Sequence, residues 1–254
     1  MSDPIKEQWE ANAQAFSDLI GGKGTPHHQH ILIPCLDDMM GNVQGKSVLD
    51  AGCGEGFLSR RYAEKGATVA GVDISERLIE LCQKDATENT SFHVGDICNL
   101  DGFADGSFDM VMSNLVLLNV PCFAEAVQEF YRVLRPGGSL IFSIVHPAFN
   151  FYGPGTWEMG EKDPRTSRKK GLFFKVDNYF IEREYQRYWK TRQGEKFPEP
   201  ISFFHRTIST YVEAIAETGF TIAQMAEPRP ATDDIFFDRE RRIPFFLVVK
   251  ANKP

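Results

Sequence analysis

The sequence predicts an α/β fold, a doubly wound sheet of seven strands with helices on both faces. Three observations carry this. Between Lys46 and Val145, short apolar strands alternate with helical stretches, the pattern of a parallel sheet covered on both sides. The first of these strands ends in a cluster of glycines and the second ends in Asp73, and strand ends of this kind border the ligand crevice of such sheets. The chain has 254 residues, 42% of them hydrophobic and 25% charged, which suffices for one sizeable core or at most two small domains.

The elements follow in order. Ile5, Trp9, Ala13, Phe16, Leu19 and Ile20 recur at helical spacing, so residues 5–20 form a helix with one apolar stripe. A glycine-rich break at 21–26 separates it from a second helical stretch, His30–Met40. Strands are expected at 47–51, 68–72, 91–94, 108–113 and 140–145. Helices are expected at 57–65, at 76–84 behind the cap residue Ser75, and at 124–134 before Pro136-Gly137-Gly138. A helix at 210–218, with Thr210 and Glu213 as a capping box, leads into two last strands at 221–225 and 245–250.

Residues 147–205 interrupt this alternation. They hold 14 of the chain's 31 aromatic residues, and 11 Lys and Arg against 8 Asp and Glu. Linkers are poor in aromatics, so this segment is expected to be an inserted cap over a substrate pocket. One domain over 1–254 results: a helical lid (1–45), a ligand-binding half (46–146), the cap (147–205), and a C-terminal helix with strands completing the sheet (206–254).

The bulk numbers narrow the function. A net charge of −7 disfavours nucleic acid and membrane partners. The N-terminus has no basic-then-apolar leader pattern, and no apolar run reaches the ~20 residues needed to span a bilayer. The five cysteines are odd in number and show no C-x-x-C. A cytoplasmic protein with neither disulfides nor a metal site is therefore expected. The cluster His27-His28-Gln29-His30 has no Cys or carboxylate at ligand spacing.

The segment Asp50-Ala51-Gly52-Cys53-Gly54-Glu55-Gly56 carries the chemistry. Dinucleotide-binding turns read G-x-G-x-x-G and set a pyrophosphate on a helix N-terminus. Here the third glycine of that pattern falls on Phe57, and the spacing is G-x-G-x-G with Asp50 two residues before it. An acid facing the site disfavours pyrophosphate and suits a cation. A carboxylate at Asp73 can accept both hydroxyls of a ribose.

Val48–Gly56, Val72–Ser75, Gly95–Ile97, Phe108–Asn114 and Leu134–Leu140, taken together and in that order, resemble the class I S-adenosylmethionine-dependent methyltransferases. The resemblance covers about residues 46–146. It implies a Rossmann-like sheet, mostly parallel with an antiparallel last strand, and S-adenosylmethionine as cofactor, released as S-adenosylhomocysteine. By the same resemblance, Asp50, Ala51, Gly52 and Gly54 would face the methionine part, Asp73 and Ile74 the ribose and adenine, Asp96 and Ile97 the adenine, and Asn114 and Leu115 the amino-acid end. The chain departs from many relatives in carrying Asn119 where they have His.

The acceptor side is read more loosely. Asn114-Leu115-Val116-Leu117 is not an N-P-P-Y motif, which points to a small-molecule acceptor. His146, His205 and Arg206 are the candidate catalytic residues, two as bases and one as a carboxylate partner. The pair His146-Pro147 with His205-Arg206-Thr207 and Tyr211 resembles a bacterial group of small-molecule methyltransferases. Trp9, Phe16, His28, Phe149, Tyr152 and Tyr211 are the candidate substrate-pocket residues, and Phe151 and Trp157 could wall the same pocket or only fix the cap. The expected reaction is O- or N-methylation of an aromatic or carboxylate-bearing metabolite by a monomer or homodimer. The alternatives are an NAD-dependent oxidoreductase and a non-catalytic S-adenosylmethionine-binding protein.

Overall fold

The structure, a computed structural model, describes residues 4–164 and 169–254. Helix α1 (Pro4–Ile20) lies before a π-helical turn (His28–Leu32) that runs straight into α2 (Ile33–Met40). The alternating part then reads β1 (Ser47–Ala51), α3 (Phe57–Glu64), β2 (Thr68–Asp73), α4 (Glu76–Lys84), β3 (Thr90–Val94), β4 (Phe108–Asn114), α5 (Phe123–Val133) and β5 (Leu134–Val145). After the cap come α6 (Ile208–Glu217), β10 (Thr221–Ala226) and β11 (Phe246–Asn252).

The seven strands form one sheet in the order β10-β11-β5-β4-β1-β2-β3. All neighbours from β5 to β3 pair in parallel, and β11 runs antiparallel to both β5 and β10. The expected architecture is therefore the observed one. Strands β1 and β4, and β5 from Leu140 onward, are buried nearly throughout, because helices cover both faces. Chain order reverses beside β1, which puts the crevice at its carboxyl end.

Element boundaries moved where tertiary pairing outranks local pattern. Strand β5 begins at Leu134 rather than 140, since its first residues pair with the start of β4. Helix α6 begins two residues early. Thr207, not Thr210, is its cap, its Oγ accepting the Thr210 N–H at 3.2 Å, so the Thr210–Glu213 capping box is corrected. Ser75 does cap α4, accepting from Leu78 N–H.

The cap segment holds two hairpins, β6 (Gly155–Lys162) with β7 (Lys169–Val176), and β8 (Arg183–Arg187) with β9 (Ile201–His205). Strand β9 is stitched to the loop after β4: Phe204 N–H donates to Leu118 O at 2.8 Å and the Asn119 amide donates to Ser202 O at 2.7 Å. Helix α1 bridges cap and core. Asn12 exchanges two hydrogen bonds with Glu199, while Glu10 accepts from Ser75 Oγ at 2.6 Å.

Cys98 and Cys122 form a disulfide, which overturns the expectation of none. They lie 24 residues apart in sequence, on two loops that only the folded sheet brings together. Cys35, Cys53 and Cys82 are free. Among the described residues no helix is long and apolar enough to cross a membrane.

Arg206 holds the loop between β4 and α5. Its guanidinium donates to the carbonyls of Leu117, Val120 and Pro121 at 2.7–3.1 Å and lies over the Phe123 and Phe204 rings. Arg206→Met leaves three carbonyls, that of Leu117 buried, without their donor. We expect a loss of about 3 kcal/mol, read as a thermal midpoint lowered by roughly 6–12 °C in a chain of this size.

Candidate active site

A cavity of about 470 Å³ opens beyond the carboxyl ends of β1, β2 and β4. One half is acidic and glycine-lined. Asp50, Gly52, Gly54, Asp73, Ile74, Asp96, Ile97, Asn114 and Leu115 all face it. Ala51 does not; it is fully buried beneath the turn, its carbonyl accepting from Ser113 Oγ at 2.9 Å.

The backbone fixes this half. Gly52 N–H and Cys53 N–H both donate to Val72 O, and Gly54 N–H donates to Asp73 Oδ2 at 2.9 Å. The other Asp73 oxygen accepts from Ser75 N–H at 3.0 Å. Gly52 has φ +82°, and a Cβ there would sit 2.4 Å from a Val116 methyl, so the turn accepts no side chain at that position. Asp96 accepts from Cys98 N–H through one oxygen. Asn114 accepts from Ser143 Oγ at 2.8 Å through Oδ1, which leaves its amide N–H groups to donate. Leu115, the next residue, sits at φ +58°. Such strain in a branched residue marks a constrained site, and the sequence carries no sign of it.

The electrostatics are those of a cation site. Burial pushes the Asp50 carboxyl up to about 7; Ser59 Oγ, 2.6 Å away, opposes this and the neighbouring Asp73 adds to it. Burial likewise pushes Asp73 up to about 6 against its N–H donors. Among the described residues no basic side chain is hydrogen-bonded to Asp50, Asp73 or Asp96. A pyrophosphate would meet acids here. A ligand carrying a sulfonium and an ammonium would meet its complement, with Asp73 open to two hydroxyls. The residues present therefore fit S-adenosylmethionine.

The other half is aromatic. Trp9 and Phe16 of α1 meet Trp189 of the cap, with Phe16 and Trp189 stacked at 6.3 Å. Tyr152 lies flat on Phe203 at 4.6 Å, and Phe245 and Phe246 close the far wall with Phe151. His27 and His28 line the cavity from the π-helical turn, an irregularity frequent at functional sites. Thr25 N–H donates to His28 Nδ1 at 3.1 Å. Burial, with the neighbouring His27, pushes His28 down to about 4, so it stays neutral and offers an Nε2–H donor.

The expected catalytic residues are corrected. None of His146, His205 and Arg206 lines the cavity. His146 is buried, with Nε2 2.9 Å from Glu227 and Nδ1 accepting from Ala148 N–H. His205 bonds the Tyr179 carbonyl at 2.7 Å, and Arg206 is committed to three carbonyls. Their nearness in sequence to strand ends placed them at the right edge of the sheet but facing its packing. Of the expected pocket residues, Trp9, Phe16, His28 and Tyr152 face the cavity. Phe149 packs on His146 and Phe174, Tyr211 sits in the core against Phe123 and Phe142, and Trp157 packs on Phe174. The sequence missed Thr25, Tyr188, Trp189, Lys190, Phe245 and Phe246. The first five lie in loops, and Phe246 begins the last strand, where no local pattern reports what a side chain faces. Asp96, Cys98 and Cys122 cluster closely, with both sulfurs taken up by the disulfide.

Residues 49–142 match the family model described as a methyltransferase domain. Over these residues the chain carries a methyltransferase domain, and along most of its length it is similar to solved S-adenosylmethionine-dependent methyltransferases. A solved S-adenosylmethionine-dependent methyltransferase from Mesorhizobium loti is 27% identical with a TM-score of 0.71, over 91% of this chain and 100% of that one. An uncharacterized protein of Haemophilus influenzae is 29% identical over 87% of this chain and 86% of its own length. The ubiquinone biosynthesis O-methyltransferase of Coxiella burnetii is 36% identical over 148 residues, 54% of this chain and 62% of that one. The chain thus spans less than two thirds of that relative's length.

Gly52→Ala is expected to weaken S-adenosylhomocysteine binding at least about tenfold, since a left-handed alanine costs roughly 1–2 kcal/mol before any clash. Adding Val116→Ala, which removes the two colliding methyls and leaves only the Cβ of residue 116 at 2.9 Å, is expected to restore part of that loss in equilibrium titration.

Proposed function

We propose that this methyltransferase transfers a methyl group to a small aromatic acceptor seated in the chamber between the lid and the cap. The observation that supports this is the continuity of one cavity from Asp73 and Asp96 to Trp189, Tyr152 and Phe245. Few polar groups interrupt its aromatic end, a lining suited to small flat ligands. Lys190 reaches the cavity and suits an acceptor bearing an anionic group. The Coxiella relative, named as an O-methyltransferase, supports oxygen as the methylated atom.

In this reading the roles divide by position. Asp73 takes the ribose hydroxyls, Asp96 and Ile97 the adenine, Asn114 the amino-acid end, and Asp50 the cationic end. Bound S-adenosylmethionine supplies an already activated methyl group. The chain's own part is proximity, alignment and exclusion of water. Trp9 and Phe16 close the chamber with Trp189, and His28 presents a neutral donor at every pH above about 4. Transfer to a metabolite requires neither nucleic acid nor membrane, and a cytoplasmic monomer or homodimer accords with it.

The decisive comparison is calorimetric titration with S-adenosylhomocysteine and with NADH, followed by mass-spectrometric detection of methylated product across a panel of hydroxylated aromatics. Tight binding of NADH alone would overturn the reading. Cofactor binding with no product from any aromatic would leave a binding protein.

The raised carboxyls give a pH signature. Asp50 and Asp73, at about 7 and about 6 in the free protein, are ordinarily near 3.8. The folded chain therefore holds more protons than the unfolded chain between about 4 and 7, and these two groups cost stability as pH rises through that window. A cation beside them reverses the shift. S-adenosylmethionine affinity is expected to rise from pH ~5 to ~7 and level off above, with proton release at pH ~6 in calorimetry run in two buffers of different ionisation enthalpy.

A further inference from the structure

His27 is the residue on which the expected histidines fail and a different one stands. It precedes the π-helical turn, and its ring is packed among phenylalanines: stacked on Phe245 at 5.3 Å, edge-on to Phe236, Phe237 and Phe246 at 5.4–6.2 Å. Its Nε2 lies 3.0 Å from Oε1 of Glu240, 213 residues away in sequence. The Glu240 side chain is 6% exposed, and its other oxygen is buried without a partner. Burial works to raise that carboxyl, but the His27 hydrogen bond and the Arg239 charge hold it below the ordinary carboxylate range. A carboxylate can only accept, so Nε2–H donates to it, and in the neutral imidazole the lone pair then lies on Nδ1.

Nothing else among the described residues uses that position. Among the described residues His27 Nδ1 has no hydrogen-bond partner, and the His27 side chain remains 24% exposed. His27 lines the cavity and Glu240 does not, so the bond to Glu240 anchors the ring from outside the chamber and leaves Nδ1 for what enters it. A buried carboxylate orienting an imidazole whose second nitrogen meets the substrate is the arrangement of a general base. A buried acid with an unsatisfied oxygen is costly to keep for packing alone.

We propose that His27, oriented by Glu240, takes the proton from a phenolic hydroxyl of the acceptor. The inference rests on the aromatic-acceptor reading above and deepens it to a substrate class. An un-ionised phenol is a weak nucleophile at neutral pH. As its oxygen forms a bond to the methyl carbon, the carbon–sulfur bond breaks with its electron pair passing to sulfur. The hydroxyl proton passes to Nδ1, giving an imidazolium balanced by Glu240. The products are the aryl methyl ether and S-adenosylhomocysteine, and the proton leaves to solvent. His27 is then the catalytic base and Glu240 a positioning residue.

The test uses the full chain, S-adenosylmethionine and para-substituted phenols of graded acidity, from para-methoxyphenol to para-nitrophenol. The assay pH is mildly alkaline, where para-nitrophenol is already a phenolate. His27→Ala is expected to slow turnover of para-methoxyphenol by about 100-fold or more while leaving para-nitrophenol nearly at the wild-type rate. Glu240→Gln is expected to show the same selectivity in weaker form, and both variants are to bind S-adenosylhomocysteine as the wild type does. Equal losses on both phenols, or no loss on either, with that binding intact, would overturn the assignment of His27. If the wild type binds S-adenosylhomocysteine and methylates aromatic amines or carboxylates but no phenol, the hydroxyl class is wrong and the methyltransferase reading stands. Failure to bind S-adenosylhomocysteine would sink the cofactor site itself.

Discussion

The site depends on one short contact, the Gly54 N–H donated to the Asp73 carboxylate. With Gly52 and Cys53 donating to Val72 O, it ties the end of β1 to the end of β2 and sets the floor of the cavity. Any side chain at 52 would collide with Val116, so the turn, the loop after β4 and the acid at the end of β2 form one constraint. It also keeps two carboxyls buried, and burial raises both, with Asp73 adding to the rise at Asp50. Two buried carboxyls with no cation bonded to them are unfavourable in the free protein. A positively charged ligand relieves that cost, so the floor of the cavity couples fold stability to cofactor binding.

The acceptor end is built differently. Rings from α1, the cap and the C-terminal strand meet around empty space: Trp9 and Phe16, Trp189, and Phe245 and Phe246. The lid and cap are held by polar pairs, Asn12 with Glu199 and Gln8 with Ser202. Exposed or half-buried hydrogen bonds of this kind each contribute little, whereas the central strands β1 and β4 beneath are buried. Opening of the chamber would therefore begin at α1 and the cap, with the cofactor floor intact.

Histidine placement shows where reading a sequence stops. His146 follows β5 at the ligand edge of the sheet and His205 ends β9 of the cap, and proximity to a sheet strand's end is a sound guide to the ligand edge. Their rings nevertheless point into packing, one to Glu227 and one to the Tyr179 carbonyl. His27 immediately precedes the π-helical turn, in a histidine cluster whose spacing points to no base, and its partner Glu240 is 213 residues away. Arg206, basic and near the crevice, proved to be a clasp for three carbonyls. The same limit explains the Cys98–Cys122 disulfide, whose spacing matches no local motif.

What the sequence determined by itself is the sheet, its order of elements and the cofactor floor. Those depend on interactions near in sequence: apolar alternation in the strands, the glycines at 52 and 54, and acids at strand ends such as Asp73 and Asp96. Only the tertiary structure decided the acceptor chamber. Its walls come from α1, the π-helical turn, the cap and the last strand, segments separated by up to the length of the chain. Which face a loop side chain presents is set by the packing of distant partners, and that information is not local to any stretch of residues.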